Sequence, residues 1–326
     1  MERRTILKSG LALGALSLTG TAPAFAQQYP AKPIRFIVPY SPGGVSDIAA
    51  RLVGAKLTEA WGQQVVVDNR PGGNGTIGTA AVTKSPADGY TFVVATVGDF
   101  TISQHVMKNL AYDPLVDLAP VMSLTDTPCV LAVNAATPYK TLADVLEDAK
   151  KQPGKLSYAS PGVGAINQLL MEWMAAETGT SFAHIPYKGG APAGAAVAAG
   201  DVPLGLLAVS SAMPHLKSGK VRMIANTAAV RSPIIPDVPT MREGGVANID
   251  GTNYTLMLAP KGTPSDIIDR IVAEVTKALS SADIKEKLAA GAAVAIPSTA
   301  AQLAERIKRE SAAFKVVVEK AKISAE

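Results

Sequence analysis

The sequence predicts an α/β protein of two lobes, each a mostly parallel sheet flanked by helices. Three observations predict it. Apolar, β-branched runs of strand length alternate with helical patterns from residue 34 to residue 260, as expected for helices layered on parallel sheets. The chain has 326 residues, whereas single cores usually stop growing at roughly 250 to 300. Finally, "VPYSPGG" at 38 to 44 is answered by "IPYKGG" at 185 to 190, each after a strand and before an Ala-rich helical stretch. Strand-to-helix turns often use Pro and Gly, but the echo also suits two similar lobes that each offer a glycine turn to one cleft.

The elements follow in order. Residues 1–26 read as a secretory signal peptide, with a basic start at Arg3, Arg4 and Lys8, an apolar middle, and Ala24-Phe25-Ala26 before cleavage ahead of Gln27. Gly10, Ser17, Thr19 and Gly20 make the middle too polar for a membrane anchor, which needs about 20 apolar residues. "RRTILK" resembles a twin-arginine export signal with Ile6 where Phe is usual, so that route competes with the general one. Strands are expected at "IRFIVPY", "QVVVDN", "YTFVVAT", "PCVLAVN", "KLSYAS", "FAHIPY", "VPLGLLAV", "VRMIANT" and "YTLMLAP". In the first helix Ile48 and Leu52, with Val53, Leu57 and Trp61, give one buried face that Gly62 ends. Thr141 to Asp144 is a capping box, and Pro264 takes the first helical position after Thr263. The C-terminal "TAAQLAERIKRESAAFKVVVEKAK" is a long helix that can lie over the outside of a lobe. No repeat of 20 to 50 residues is visible.

Charge and cysteine usage exclude several classes. Of 31 Lys/Arg and 27 Asp/Glu, the leader holds three and one, so 28 and 26 remain in the mature chain. A net charge near +2, without a basic block interleaved with aromatics, excludes a nucleic-acid partner. Cys129 is the single cysteine, so no intramolecular disulfide can form, and its "PCVLAV" setting is that of a core residue.

Motifs that could carry chemistry fail. Gly73 to Gly78 matches G-x-G-x-x-G after a strand, but Asp68 to Gly72 separate strand from first glycine, whereas a dinucleotide fold runs strand directly into turn so that the helix meets the pyrophosphate. There is no G-x-S-x-G elbow, H-E-x-x-H pair or Walker lysine loop. His105, His184 and His215 are scattered singly and suit structural or surface roles, and the acids sit beside Lys and Arg on helix faces. Neither a catalytic set, a metal cluster nor a cofactor is expected. An exported two-lobed protein with glycine turns at helix N-termini has the tools of a solute receptor. A helix N-terminus carries about half a positive charge and up to four unpaired N–H donors, enough to hold a carboxylate without arginine.

"IRFIVPYSPGGVSDIAARL", "VVVDNRPGGNGTIGTAAVTKSPADGYTFVVAT", "LAYDP", "PGKLSYASPGVGAINQL", "HIPYKGGAPA", "SSAMPHLKSGKVRMIANT", "RSPIIPDVPTMREGG" and "LMLAPKGTP" occur in this order. In sequence and order they resemble the substrate-binding receptors of tripartite tricarboxylate transporters, the Bug receptors, over essentially the whole mature chain. The resemblance implies a periplasmic binding protein of Venus-flytrap form, with crossing strands as hinge, which closes on a small carboxylated solute and delivers it to a membrane permease of the tripartite tricarboxylate type. It implies a carboxylate loop at Tyr40, Ser41, Pro42, Gly43 and Gly44, with Asp47 ordering the helix start. A second loop falls on Thr96, Val97, Gly98, Asp99, Phe100, Thr101 and Ser103. The other lobe supplies Ser160, Gly162, Gly164, Ala165 and Asn167, then Tyr187, Lys188 and Gly189.

Departures touch the residues that would name the ligand. Asp99-Phe100-Thr101-Ile102-Ser103-Gln104 stands where relatives read Thr-His-Ala-Ile-Asn-Pro, Pro203 and Leu207 stand where they carry Asp, and Gln168 where His is frequent. These changes suggest an apolar cleft with one unusual acid. An apolar or aromatic monocarboxylate would suit Phe100 and Leu207 with its acid at Gly43 and Gly44. A ligand with an amine or amide could instead use Asp99 as acceptor. Lobe 1 is expected from residues 27–125 and 252–326 and lobe 2 from 126–251, with crossings near "VMSLTDTPCV" and "GGVANIDGTNY". The protein is expected to be a monomer. The competing classes are a sensor feeding a membrane signalling partner and a secreted hydrolase.

Overall fold

The computed structural model describes residues 29–249, 251–321 and 323–324; the expected signal peptide lies outside them. A first parallel unit runs β1 (Ile34–Val38), α1 (Val45–Trp61), β2 (Val65–Asn69), α2 (Thr76–Thr83) and β3 (Thr91–Thr96), with β1 between the other two strands. Two short helices follow, α3 (Gly98–Thr101) and α4 (Ser103–Val106). The chain then runs as one strand of 17 residues, β4 (Leu118–Asn134). After α5 (Leu142–Lys151) comes a second parallel unit of β5 (Ser157–Ser160), α6 (Ile166–Thr178), β6 (Ala183–Pro186), α7 (Gly190–Ala199) and β7 (Leu204–Ala208), with β5 in the middle. α8 (Val209–Lys217) and β8 (Val221–Asn226) complete the second sheet, and β9 (Thr252–Pro260) returns to the first. α9 (Ser265–Ser280), α10 (Ala282–Ala290), β10 (Val294–Ala295) and α11 (Ala300–Ala321) end the chain.

Strand order is β2-β1-β3-β9-β4-β7-β5-β6, with β10 and β8 also on β4. β4 is therefore shared. Its residues 118–128 pair antiparallel with β9, and residues 129–134 with β7 and β8. All nine expected strands form, but the sequence shows only the last third of β4. Pro120, Pro128 and the polar "SLTDT" break the apolar run that marks a strand, since proline weakens a ladder and is found mostly at edges and bulges. Here the ladder shifts register between Pro120 and Met122 and between Ser123 and Thr125, as bulges do where a strand must bend.

The strand order corrects the internal echo. β1 and β5 are the middle strands of the two parallel units, so "VPYSPGG" corresponds to "YASPGVG" after β5. The turn "IPYKGG" after β6 corresponds to "DNRPGG" after β2. Similar turn composition arises at two non-equivalent places because each parallel unit contains two such turns.

Packing follows from residue size. α1 covers β1 and β3 through Ala50, Val53 and Leu57, in a core with Phe36, Phe92 and the α9 residues Ile271, Val275 and Leu279. Ile48 is 38% exposed, so the buried stripe runs through Ala49, Ala50, Val53 and Leu57 instead of Ile48 and Leu52. Small residues let this helix sit close to the sheet, and a Cβ at Gly54 would lie 3.1 Å from Val65 Cγ1. Gly62 ends it in the left-handed conformation at φ 65°. Pro264 caps α9 from outside, with ψ 137°, instead of occupying its first turn.

α11 departs from expectation. Leu303, Ile307, Phe314 and Val318 share one core with Val97 and Phe100 of the first sheet's side and with Leu169 and Leu170 of α6. The helix therefore packs on both lobes, not on the outside of one. Full burial of each side chain contributes about 2 kcal/mol. Arg306 lies 3.6 Å from the ring centre of Tyr254 in β9. Tyr254 donates to Glu310 at 2.9 Å, and Arg306 pairs with Glu310 at 2.8 Å.

Candidate functional site

The turn after β1 is held by Asp47, the third residue of α1. Its carboxylate accepts from the Gly43 amide at 2.9 Å, from Arg51 Nε at 3.1 Å and from Asn69 at 3.0 Å. Burial pushes the carboxyl up, but the hydrogen bonds from Arg51, Gly43 and Asn69 and the Arg51 charge outweigh it, so it lies below the ordinary carboxylate range. The Gly43 amide is thus engaged, contrary to the expectation that it meets a ligand. The available donors are those of the first turn of α1, at Val45, Ser46 and Asp47, where a helix supplies no acceptor of its own. Ser46 is 2% exposed, and its hydroxyl has no hydrogen-bond partner among the described residues. Gly43 sits at φ 88°, a conformation that favours glycine. Ser41, Pro42, Gly43 and Gly44 are exposed.

Tyr40 ties this turn to the one after β3. Its hydroxyl is 2.6 Å from Thr96 Oγ1 and donates to Asp99 Oδ2 at 2.6 Å. Asp99 is 2% exposed; burial raises its carboxyl to about 7 against the lowering effect of the Tyr40 hydrogen bond. Burial and the neighbouring Asp99 push the Tyr40 phenol well above its ordinary value. The carboxylate also abuts the turn after β2. A Cβ at Gly75 would fall 2.6 Å from Asp99 Oδ1, so glycine is required there. Asp99 thus lies where three turns meet, bonded to Tyr40 through Oδ2 and packed through Oδ1 against Gly75.

The remaining second-loop residues divide. Thr101 and Ser103 return their hydroxyls to Val97 O at 3.0 Å and Gly98 O at 3.3 Å, which closes the short helix on itself. Phe100, expected to face the ligand, is fully buried in the apolar core, as are Val97 and Leu207. The apolar-cleft expectation thereby loses both residues it rested on. A phenyl ring finds more apolar surface against α11 than at a cleft wall of backbone and hydroxyls. Gly98 meets the opposite lobe, where a Cβ would lie 4.0 Å from Gly164 O and 3.9 Å from Ile166 N.

The second lobe repeats the device of the first. The Gly164 amide donates to Gln168 at 2.8 Å, and Gln168 is the third residue of α6, as Asp47 is of α1. Gln168 thus has a structural role that sequence reading missed. Ala165 caps α6 through backbone alone. Ser160 accepts from the Gly162 amide at 3.2 Å and lies 2.6 Å from His184 Nε2. Burial lowers His184 to about 4, so the ring is neutral. Tyr187 and Gly189 donate their amides to Ser160 O and Pro161 O at 2.9 and 2.8 Å, which locks the two turns together and occupies the Gly189 amide. Lys188 is exposed. Asn167, 1% exposed, donates to Cys129 Sγ at 3.4 Å.

Sequence reading expected crossings near β4 and β9 but named none of their polar residues. Thr96 is directly opposite Thr255, which is directly opposite Thr125, and two residues along Asn253 faces Thr127. The only signal was polar alternation in "SLTDTP" and "GTNYT". Among the described residues no group of three or more metal-ligating side chains occurs, and no helix is long and apolar enough to cross a membrane.

A family described as the tripartite tricarboxylate transporter family receptor matches residues 49–323. The chain is 35% identical over 293 residues to BugT of Bordetella pertussis, covering 88% of this chain and 90% of that protein. It is similar to an R. palustris protein solved with adipate, at TM-score 0.84 and 32% identity, over 91% of this chain and 99% of that one. It is also similar to the periplasmic binding protein BugD, at TM-score 0.80 and 29% identity, with the same coverage. With these likenesses and its two-lobed fold, the chain belongs to the tripartite tricarboxylate transporter receptor family of periplasmic solute receptors.

Proposed function

We propose that the protein binds a small carboxylate-bearing metabolite between its lobes and delivers it to a membrane permease of the tripartite tricarboxylate type. The carrying observation is convergence. Three turns of the first lobe meet at Asp99 and Tyr40, and the third approaches the turn before α6 at Gly98 and Gly164. The N-termini of α1 and α6 therefore belong to one neighbourhood, and each offers first-turn amides to an anion. The adipate bound by the R. palustris relative supports an acid ligand.

On this reading Gly44, Ser46 and the first turn of α1 hold the acid, and Ala165 to Asn167 close over the solute from the other side. Asp47, Gln168, Asp99 and Ser160 shape the turns without touching it. The lobes divide near 125/126 and 251/252, where β4 and the approach to β9 cross between sheets. The mature chain acts in the periplasm after export, changes no covalent bond in its solute, and works as a monomer.

Mass spectrometry of the solute that co-purifies with the mature chain tests this directly. A carboxylic acid released unchanged on denaturation is expected. A recovered product of bond cleavage, or stabilisation by no carboxylate in a thermal-shift panel, overturns it. Capture of a membrane kinase instead of the permease would assign the protein to sensing.

A further inference from the structure

The crossing strands carry a row of buried polar atoms that the turns described above do not use. Thr125, Thr127 and Thr255 are fully buried. Their hydroxyls, and the side-chain oxygen of Asn253, have no hydrogen-bond partner among the described residues. Natural proteins leave few such atoms, and each one calls for a partner, an ordered water or a ligand, in the space it faces.

Their register says where that partner lies. Residues directly opposite in a ladder project from the same face. Thr255 is opposite Thr96 on one side and Thr125 on the other, so both share the face on which Thr96 meets the Tyr40 hydroxyl. Asn253 and Thr127 are the next opposed pair along the same face. Two residues on, Cys129 accepts from Asn167 in the first turn of α6. The strip thus runs without a break from a turn of the first lobe to a turn of the second.

We propose that Thr125, Thr127, Asn253 and Thr255 form a second ligand subsite on the floor between the lobes, which takes an uncharged hydrogen-bonding group, a hydroxyl or a carboxamide. This rests on the reading that a carboxylate at a helix N-terminus anchors the same ligand.

Chemistry selects the neutral group. Three hydroxyls both donate and accept, while the Asn253 oxygen only accepts. A second carboxylate has no proton for that oxygen and would leave it unpaired. It would also be buried with no Lys, Arg or His in the strip, an arrangement that is strongly unfavourable. A hydroxyl or carboxamide donates and accepts at once. The solute is therefore a hydroxy- or carbamoyl-substituted monocarboxylate, in contrast to the adipate bound by the R. palustris relative.

Isothermal titration of the mature chain tests this with four-carbon acids differing only at the far end: butanoate, 4-hydroxybutanoate, succinamate and succinate, together with their five- and six-carbon counterparts. In the best-bound length, the hydroxyl- or amide-ended acid should bind about tenfold more tightly than the methyl-ended one, the effect of one or two neutral hydrogen bonds, and more tightly than the diacid. Thr255→Val and Thr125→Val should each remove most of that advantage while leaving the methyl-ended acid within about twofold. Thr255→Ser, which keeps the hydroxyl, should restore it. A diacid that binds tightest, or valine variants that leave the polar acid's affinity unchanged, overturns the subsite while the receptor reading stands. If no acid of any length binds, both fall.

Discussion

Asp99→Asn isolates the electrostatics of the buried acid at the centre of the first lobe's turns. The asparagine oxygen can still accept from Tyr40, so shape and hydrogen bond are kept while the charge is removed. In the folded protein the carboxyl titrates at about 7 against an ordinary 3.8 because burial disfavours its anion. Below about pH 4 both folded and unfolded chains hold the proton. Between about 4 and 7 the folded protein keeps a proton that the unfolded chain has lost, so stability falls as pH rises through that window. At about 1.4 kcal/mol per unit, the loss complete above pH 7 is on the order of 4 kcal/mol. Urea unfolding at pH 4 and pH 8.5 measures it. The variant should match wild type near pH 4 and exceed it by up to about 4 kcal/mol at pH 8.5, with equal m-values. A stability difference that does not change with pH, or a wild type that gains from this group as pH rises, refutes the reasoning.

Four further substitutions have defined outcomes. Gly44→Val should abolish acid binding by titration with a change in stability within about 1 kcal/mol, because Gly44 has an ordinary φ of −78° and its nearest atom is 3.8 Å away; Gly43→Ala should lower stability by about 1 kcal/mol or more through its positive φ. Asp47→Ala should lower stability in urea unfolding by about 1 to 2 kcal/mol, the effect of losing a hydrogen-bonding side chain at a helix start whose ion-pair partner Arg51 is half exposed. Asp47's contribution in wild type, present above the ordinary carboxylate range, should fade as pH falls through its depressed folded value. His184→Gln should flatten the acid side of the melting curve, since between pH 6.5 and about 4 the unfolded chain takes up a proton that the buried ring refuses, and a melting temperature equally acid-sensitive in both proteins would exclude His184 as the cause.

Strands were legible wherever burial on both faces wrote an apolar run, as in "YTFVVAT" and "VPLGLLAV". The crossing part of β4 was expected near "VMSLTDTPCV" but not as regular strand, because its Thr, Asp and Pro residues break the apolar run and belong to a bent ladder. The glycine turns were legible as turns, but which amides they leave available was not. That depends on Asp47 reaching back to Gly43, Gln168 to Gly164, and the Gly189 amide closing on Pro161. Phe100 was misread because a loop position in sequence became a core position once α11 packed across it. Asp99 was recognised as unusual, yet its partner Gly75 lies 24 positions earlier in sequence and only tertiary contact reveals the fit.

β9 lies between β3 and β4 in the first sheet, although it is made more than a hundred residues after both. Until residues 252–260 have been synthesised, β3 and β4 lack the strand that joins them, and two unpaired ladders face each other across an empty place. Such long-range pairing slows folding because the loop must close before its contacts reward it. Synthesis order therefore delays compaction of the lobe that holds β1, β2 and β3 until most of the polypeptide exists. On the proposed periplasmic role, that delay would favour an export route that threads the chain unfolded over one that carries it folded.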